Sequence, residues 1–550
     1  MHFDIHLPQW RIDQMRAEGR WQGKIITDYM DEAVANTPDA VAITDVNSST
    51  GRRTTLSYRQ LRTISDRMAC ALAAMGVRKG DIVSCQLPNW WQVGALYLAA
   101  VRIGAAMNPL MPIFRHHELE YMLNFNEARF LLIPRRFRGF DYPQMIGELR
   151  GKLPHLEQVL IVDGEDEATS FEAVMLNRRW EDETDTEKLF AERRPTADDV
   201  TELMYTSGTT GQPKGAMHTA HTMFGNVEKQ ITQIGVGRDD IVFMPSPLAH
   251  QTGFLYGMVL PILLGTKSVL MDIWEPVAAA QRIEEEACTM TVAATPFLAD
   301  LTHNPGVAQY DTSTLKTFIC GGAPIPRVLM HQATEKLGIR VVSVWGMTEN
   351  GITTSTRFDD PPEKVFETDG VAVPGAEVRI IDESGKVLGP HQDGLLQARG
   401  ASHFVGYLKR PEINGIDEEG WFDTGDIARM DEDGYIRITG RSKDIIIRGG
   451  ENVPVVEVEE LLYRHPDVQD AAVVAMPDER LGERGCAFVV LKNGKHMSFQ
   501  DMVGYLSESH LTKSYLPERL ELLPDMPRTP SGKIQKFKLR EVAKALTPMT

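Results

Sequence analysis

Cysteine is scarce in this chain, and what there is lies scattered. The five residues Cys70, Cys85, Cys288, Cys320 and Cys486 show no C-x-x-C spacing, so the sequence offers neither a disulfide framework nor a thiolate metal site. They read as buried small hydrophobes in a reducing compartment. Positive charge is also short: 58 Lys and Arg stand against 76 Asp and Glu, a net charge of −18. That balance argues against a general nucleic-acid or anionic-membrane surface, which would repel the chain. Any anionic ligand must find its cations locally. Long apolar runs are missing as well. The longest, residues 253–265, is too short to span a bilayer, and Pro261 reads as a break within it. The start, Met1-His2-Phe3-Asp4-Ile5-His6, lacks a charged-then-apolar leader pattern. No period of about 20–50 residues and no low-complexity tract is present. The expectation is a cytoplasmic protein.

What is present is length and an ordinary globular composition. At 550 residues the chain exceeds a single core and should divide into two or more domains. Hydrophobic residues make up 42% and charged residues 24%, values of a soluble protein with a real interior. Residues 56–76 carry apolar positions at helical spacing, 82–87 read as a buried strand, and 89–103 return to helix with Gly104-Ala105 as the stop. This βαβ rhythm predicts largely parallel sheets covered by helices. Residues 164–199 are polar and acidic, a surface excursion. After about residue 370 the pattern turns to strands: 377–381, then 427–430 and 435–439 around the hairpin signal Asp433-Gly434, a small antiparallel subdomain. From Asp444 a new unit begins, with a strand over 445–447, Gly449-Gly450, a helix with Pro454 in its first turn, and a final loop and short basic helix. The fold class is therefore α/β. A large N-terminal domain over residues 1–441 is followed by a small mobile α+β domain over 442–550.

The richest stretch is Tyr205-Thr206-Ser207-Gly208-Thr209-Thr210-Gly211-Gln212-Pro213-Lys214-Gly215. Its glycines allow close backbone approach to an anion. Its peptide N–H groups and hydroxyls can donate to phosphate oxygens, and Lys214 adds charge. An apolar strand-like run over 200–205 precedes it and a helix-compatible run from about His218 follows, a context that favours a phosphate cradle over a flexible turn. It is not a Walker A loop, because Gly215 stands where Ser or Thr should follow the lysine. Pro213 also keeps Gln212 out of a helix.

This loop resembles the signature of the adenylate-forming superfamily, which includes acyl-CoA synthetases, peptide-synthetase adenylation domains and luciferases. Gly321-Gly322-Ala323-Pro324 is similar to the family's adenine-contacting segment, and Trp345-Gly346-Met347-Thr348-Glu349 to its YGxTE motif with Trp in first place. Trp421-Phe422-Asp423-Thr424-Gly425-Asp426 matches WxxTGD, Gly440-Arg441-Ser442-Lys443-Asp444 the hinge motif, and Pro527-Arg528-Thr529-Pro530-Ser531-Gly532-Lys533 the catalytic-lysine motif. These motifs keep the family's order from about residue 200 to the end.

The resemblance implies a two-step reaction. A carboxylate attacks the α-phosphate of ATP to give acyl-AMP and pyrophosphate, and the thiol of CoA then displaces AMP. The protein's part is positioning and charge neutralisation. Thr206, Ser207, Gly208, Thr209, Thr210, Gly211 and Lys214 would cradle the β- and γ-phosphates. Gly321, Gly322, Ala323, Trp345, Gly346 and Met347 would surround the adenine, and Thr348 would approach the α-phosphate. Glu349 would hold Mg²⁺, which needs few carboxylates beside substrate oxygens. Asp426 would accept from the ribose hydroxyls, and Arg441 would bind ribose or phosphate. Lys533 would be the catalytic cation, on a Pro/Ser/Gly-rich and exposed loop. Its place in a Pro-x-x-x-x-Gly-Lys pattern makes a protein lysine acetyltransferase an implied partner. His250, Gly253 and Phe254 fall in the acyl-pocket segment, Gly449 and Gly450 on the CoA-facing strand, and Lys443 at the pivot. A homodimer is among the assemblies this reading allows.

Several readings compete. The segment 245–254 has no aspartate to pair with an amino-acid amine, and no Gly-Gly-x-Ser carrier site follows, so a domain loading a carrier protein is disfavoured. A luciferase-like oxygenase shares every motif. A nucleotide-binding pseudoenzyme would be free to lose Lys533, Glu349 and Asp426, yet all three are present. For the substrate, a bulky Trp345 at the pocket floor and an uncharged segment around His250 suggest a compact apolar acid. The chain resembles ligases for medium-length, alicyclic or aromatic acids, cyclohexanecarboxylate among them.

Overall fold

The computed structural model describes residues 3–206, 213–225, 227, 233–323, 325–442, 444–448, 451–478, 480–509, 511, 513–529, 532–546 and 549. Two large sheets carry the first part of the chain. The six-stranded one runs in spatial order Lys214–Thr219, Val200–Thr206, Ala106–Pro109, Ile82–Cys85, Phe130–Pro134, Gln158–Val162, and all its pairs are parallel except the first. We call Val200–Thr206 β1 and Lys214–Thr219 β2. The nine-stranded sheet is parallel through its centre, with Arg340–Met347 (β3) at one limit of the parallel run and Val41–Asn47 at the other, and antiparallel strands at both edges. Helix Trp91–Arg102 is buried from Trp91 to Val101 and packs on both sheets. A helix apolar all round is stable only in such a place. The helix expected over 56–76 runs Tyr58–Ala74, starting after the strand Arg52–Ser57, where Ser57 accepts from the Gln60 N–H and closes a capping box.

The small antiparallel subdomain is also as expected. Ala376–Ile381, Gly394–Gly400, Phe422–Met430 (β4) and Ile436–Arg441 (β5) pair in that order, every pair antiparallel. Beyond it a separate five-stranded sheet contains Glu451–Val453, Ile446–Arg448, Gly482–Leu491, Val468–Asp478 and Arg519–Leu522. Helix Val455–Arg464 (α2) and helix Lys536–Ala543 (α3) both pack on its long strand Val468–Asp478. Earlier in the chain, helix Arg327–Leu337 (α1) leaves the strand Thr317–Cys320 and leads into β3. All five cysteines are buried. Among the described residues no helix is long and apolar enough to cross a membrane.

Two sequence expectations need correction. The glycine-rich loop does not lead into a helix at His218. It joins two antiparallel strands, β1 and β2, with Thr206 opposite Lys214. Residues 215–219 are buried, and on the free edge of β2 the segment 405–408 adds further pairing (Val405 N–H to Met217 O 3.0 Å, Leu408 N–H to Gly215 O 2.8 Å). Burial on all sides hides the period that would distinguish strand from helix. The helix Ala220–Phe224 begins only after Thr219, whose hydroxyl caps it. Pro261, in turn, does not break the apolar run. Residues 251–264 stay helical through a wide turn at Leu255–Val259. Pro261 lies in the first turn of Leu260–Leu264, where a missing N–H costs little.

Candidate active site

Five separate elements bring charged side chains to one cleft. The mouth of the β1–β2 hairpin supplies Thr206 and Lys214 as facing residues. The turn after β3 supplies Thr348 and Glu349. Strands β4 and β5 supply Asp426 and Arg441, which are cross-strand partners. The loop before α3 supplies Lys533.

Glu349 is buried, 5% exposed. Its Oε1 accepts from the Tyr407 hydroxyl at 2.5 Å, and its carbonyl accepts from Phe404 N–H at 2.7 Å. Lys214 Nζ lies 3.4 Å from the same Tyr407 hydroxyl and 4.4 Å from the ring centroid. Burial and then the Glu349 charge raise the Tyr407 phenol, so it stays protonated and donates. The turn carrying Thr348 is held from below by His218, whose Nε2–H donates to Thr348 O at 2.8 Å while Nδ1 accepts from the Thr222 hydroxyl at 3.0 Å. Burial lowers the His218 imidazole to about 4, which keeps it neutral for this role. Gly346 is required sterically, since a Cβ there would lie 2.0 Å from Gly351 O.

Asp426 is 4% exposed, and both of its oxygens are engaged. Oδ1 accepts from Arg441 Nε at 2.9 Å and Oδ2 from Trp345 Nε1 at 2.9 Å. A carboxylate has about four acceptor positions, so room remains for ribose hydroxyls. Trp345, expected at the pocket floor, is turned toward Asp426. The indole packs with Ile380, Leu396, Ala398, Ala428 and Ile436 of the antiparallel subdomain, whereas Phe254 packs in a different cluster and stacks edge-on with Tyr97 at 4.8 Å. Phe254 is itself fully buried. At Gly253 a Cβ would lie 2.1 Å from Pro247 O, so that glycine serves close packing of the helix Gln251–Phe254. His250 caps this helix, its Nδ1 accepting from Thr252 N–H at 3.3 Å. Burial, and then the Lys533 charge, lower its imidazole to about 3.

Lys533 departs most from the sequence expectation of an exposed loop. Thr529 N–H donates to Lys533 O at 2.7 Å and Lys533 N–H to Thr529 Oγ1 at 3.0 Å. Gly532 and Lys533 are pressed into the cleft. Lys533 Cε is 3.6 Å from where a Cβ on Gly322 would sit, and Pro296 Cγ is 3.0 Å from the Cβ position of Gly532. Burial, and then the Arg441 charge, lower the Lys533 ammonium to about 8, while Asp426 and Glu349 pull the other way. The Pro/Ser/Gly composition signals a loop correctly but says nothing of the cleft into which it folds. Gly321, Gly322 and Ala323 follow the strand Thr317–Cys320 and border the same cleft through Gly322.

Ser207, Gly208, Thr209, Thr210 and Gly211, together with Pro324, Lys443, Gly449, Gly450, Pro530 and Ser531, lie outside the described residues. Sequence reasoning passed over Tyr407 and His218. The signal for Tyr407 was slight, an aromatic residue after Gly406. His218 stands in the sequence only as the start of a helix-compatible run.

Among the described residues no group of three or more His, Cys, Asp or Glu is placed to hold a metal ion. Among the described residues Glu349 offers a hard carboxylate beside Tyr407 and Lys214. That fits an ion carried mainly by nucleotide oxygens and not by a protein cage.

The model of the AMP-binding enzyme family matches residues 30–408, and that of the AMP-binding enzyme C-terminal domain matches residues 457–533. The chain belongs to the AMP-binding enzyme family, whose acyl-CoA ligases are AMP-forming acid–thiol ligases that work through an acyl-adenylate. It is 38% identical to the medium-chain fatty-acid–CoA ligase of Escherichia coli K12, over 96% of this chain and 92% of that protein. It is 32% identical to the 2-hydroxy-7-methoxy-5-methyl-1-naphthoate–CoA ligase of Streptomyces carzinostaticus, over 96% and 94%. ATP-bound MatB of Rhodopseudomonas palustris superposes with a TM-score of 0.81 at 27% identity, covering 94% of this chain and 99% of that one. The apo crystal of that same protein superposes at 0.72.

Proposed function

We propose that this enzyme activates a medium-length apolar carboxylic acid with ATP and transfers the acyl group to CoA. The observation that carries the reading is the position of Lys533, seated in the cleft beside Asp426, Glu349 and Arg441. A cation there is aimed where charge develops as the acid's carboxylate oxygen attacks the α-phosphate and pyrophosphate departs. Thr206 and Lys214 would bind the departing phosphates, Asp426 the ribose and Arg441 the ribose or α-phosphate. Glu349, freed in part from Tyr407, would take Mg²⁺ together with phosphate oxygens. The better superposition on an ATP-bound relative than on its apo form supports the view that this arrangement is the adenylating one.

The substrate reading changes with Trp345. Its indole is turned to the antiparallel subdomain, which gives little support to a pocket shortened by it. The uncharged, buried segment 251–254 with Tyr97 and the likeness to a medium-chain ligase then favour a chain of medium length. Pyrophosphate release measured over C4–C12 acids, cyclohexanecarboxylate and benzoate tests this. Highest kcat/KM between C6 and C10 is expected, and a clear preference for acetate or for benzoate would overturn it.

We further infer two working units, residues 1–441 and 442–550, with Lys443 as the pivot. The two family matches fall on either side of that boundary. The adenylating lysine and the Gly449-Gly450 strand proposed to meet CoA both belong to the smaller unit. One carboxyl group cannot be served by both at once, so the unit would turn between steps. Acetylation of Lys533 would remove the charge. Because the side chain is tucked into the cleft, the loop would first have to leave it. Mass mapping after treatment with an acetyltransferase and acetyl-CoA tests this, and loss of activity without modification of Lys533 would sink it.

A further inference from the structure

Helix α2 carries two consecutive glutamates that reach in different directions. Glu459 is buried, 5% exposed. It accepts from Val473 N–H at 2.6 Å and pairs with Lys536 Nζ at 2.7 Å, three residues beyond Lys533 at the start of α3. Glu460 faces away from that sheet, toward the larger part of the chain. It is bonded to Arg437 Nη2 of β5 and lies 3.9 Å from Arg327 Nε of α1. Both arginines also reach Asp369, Arg327 at 3.1 Å and Arg437 at 3.5 Å, and Asp369 Oδ2 accepts from Ile438 N–H at 2.8 Å. Arg327 is 4% exposed, and its Nη1 donates to Thr368 O at 3.2 Å.

On the larger part Arg327 and Arg437, with Arg429 of β4 also close enough to act on Glu460, face the single carboxylate of Asp369, an arrangement left with positive charge in excess until Glu460 arrives. An uncompensated buried guanidinium is costly, so the site selects for an anion at that place. Helix α1 begins just after Gly321–Ala323, and β5 ends at Arg441. Both anchors of Glu460 are thus elements that also border the catalytic cleft.

We propose that Glu460, received by Arg327 and Arg437, docks α2 on the larger part of the chain, and that Glu459 through Lys536 passes this docking on to Lys533. Glu460 and Arg437 are positioning residues. They touch neither substrate nor the reacting atoms, and they determine whether Lys533 reaches them. The catalytic consequence rests on the role given to Lys533 above; the docking itself does not.

The test is amine labelling of the intact enzyme with limiting acetic anhydride, quantified at Lys533 and at the exposed Lys495 by mass spectrometry. In wild type Lys533 should label slowly. Glu460→Gln should raise Lys533 labelling about tenfold, leave Lys495 unchanged, and lower adenylation by a similar factor while thioester formation from supplied acyl-AMP keeps its rate. Arg437→Gln, a second variant at a less buried partner, should act the same way. Unchanged Lys533 labelling in both folded variants would overturn the proposal. So would an equal loss in both half-reactions. If labelling rises as expected but adenylation does not fall, the docking stands and the role of Lys533 is what fails.

Discussion

The Tyr407 hydroxyl donates to Glu349 Oε1 at 2.5 Å and lies 3.4 Å from Lys214 Nζ, joining a charged group of the turn after β3 to one at the start of β2. Segment 405–408 holds the phenol there by pairing with the free edge of β2. Hydrogen bonds to charged groups contribute about 1.5–3 kcal/mol, and this one sets the orientation of the carboxylate proposed to meet Mg²⁺. Tyr407→Phe should therefore raise the KM for MgATP about tenfold with a smaller change in kcat. Calorimetric titration with MgATP should weaken in parallel. An unchanged KM would mean that Glu349 needs no such support.

Trp345 and Asp426 form a second such pair. Trp345→Phe keeps an aromatic ring in the subdomain core but leaves Asp426 Oδ2 without its indole donor. The expected result is a higher KM for ATP, with the ranking of C4–C12 acids unchanged. A shift of that ranking toward longer acids would restore the indole to the acyl pocket.

Lys533 sets the pH behaviour. Its ammonium titrates near 8 in the folded enzyme, against about 10.4 for an unperturbed lysine. kcat/KM for adenylation, which reports the free enzyme, should fall as pH rises through about 8. The stability sign is opposite. Between about 8 and 10.4 the unfolded chain binds the extra proton, so this group's contribution to stability rises with pH across that window. Below pH 8 the charged lysine is instead a cost to the fold. Lys533→Met should then raise Tm at pH 7 and lose that gain by pH 10, measured by thermal unfolding. A lower Tm at pH 7 would mean that the ammonium's pairing with Asp426 and Glu349 outweighs its desolvation.

Most of the architecture was legible in the residues, because helices such as Tyr58–Ala74 and the hairpin at Asp433-Gly434 advertise themselves by period and turn chemistry. The strand β2 was not, since a segment buried on every side shows no alternation. The motif residues of the cleft could be named in advance, and Lys214, Glu349, Asp426, Arg441 and Lys533 do meet. What the sequence withheld was orientation. Nothing in a Trp codon says that the indole turns to Asp426 and not to Phe254. Nor could a Pro/Ser/Gly-rich loop announce that its lysine is pressed against Gly322. Tyr407 and His218 carry no local signature, for their partners lie 58 and 130 positions away.

The most direct test separates the two half-reactions in Lys533→Ala. Pyrophosphate exchange with ATP and octanoate measures adenylation, and CoA consumption with supplied octanoyl-AMP measures thioester formation. Truncation should abolish exchange by about 10²–10³-fold, the range for losing one preorganised group that stabilises transition-state charge, while thioester formation stays within about twofold of wild type. Exchange at the wild-type rate, or equal losses in both steps, would contradict the placement of Lys533 at the α-phosphate.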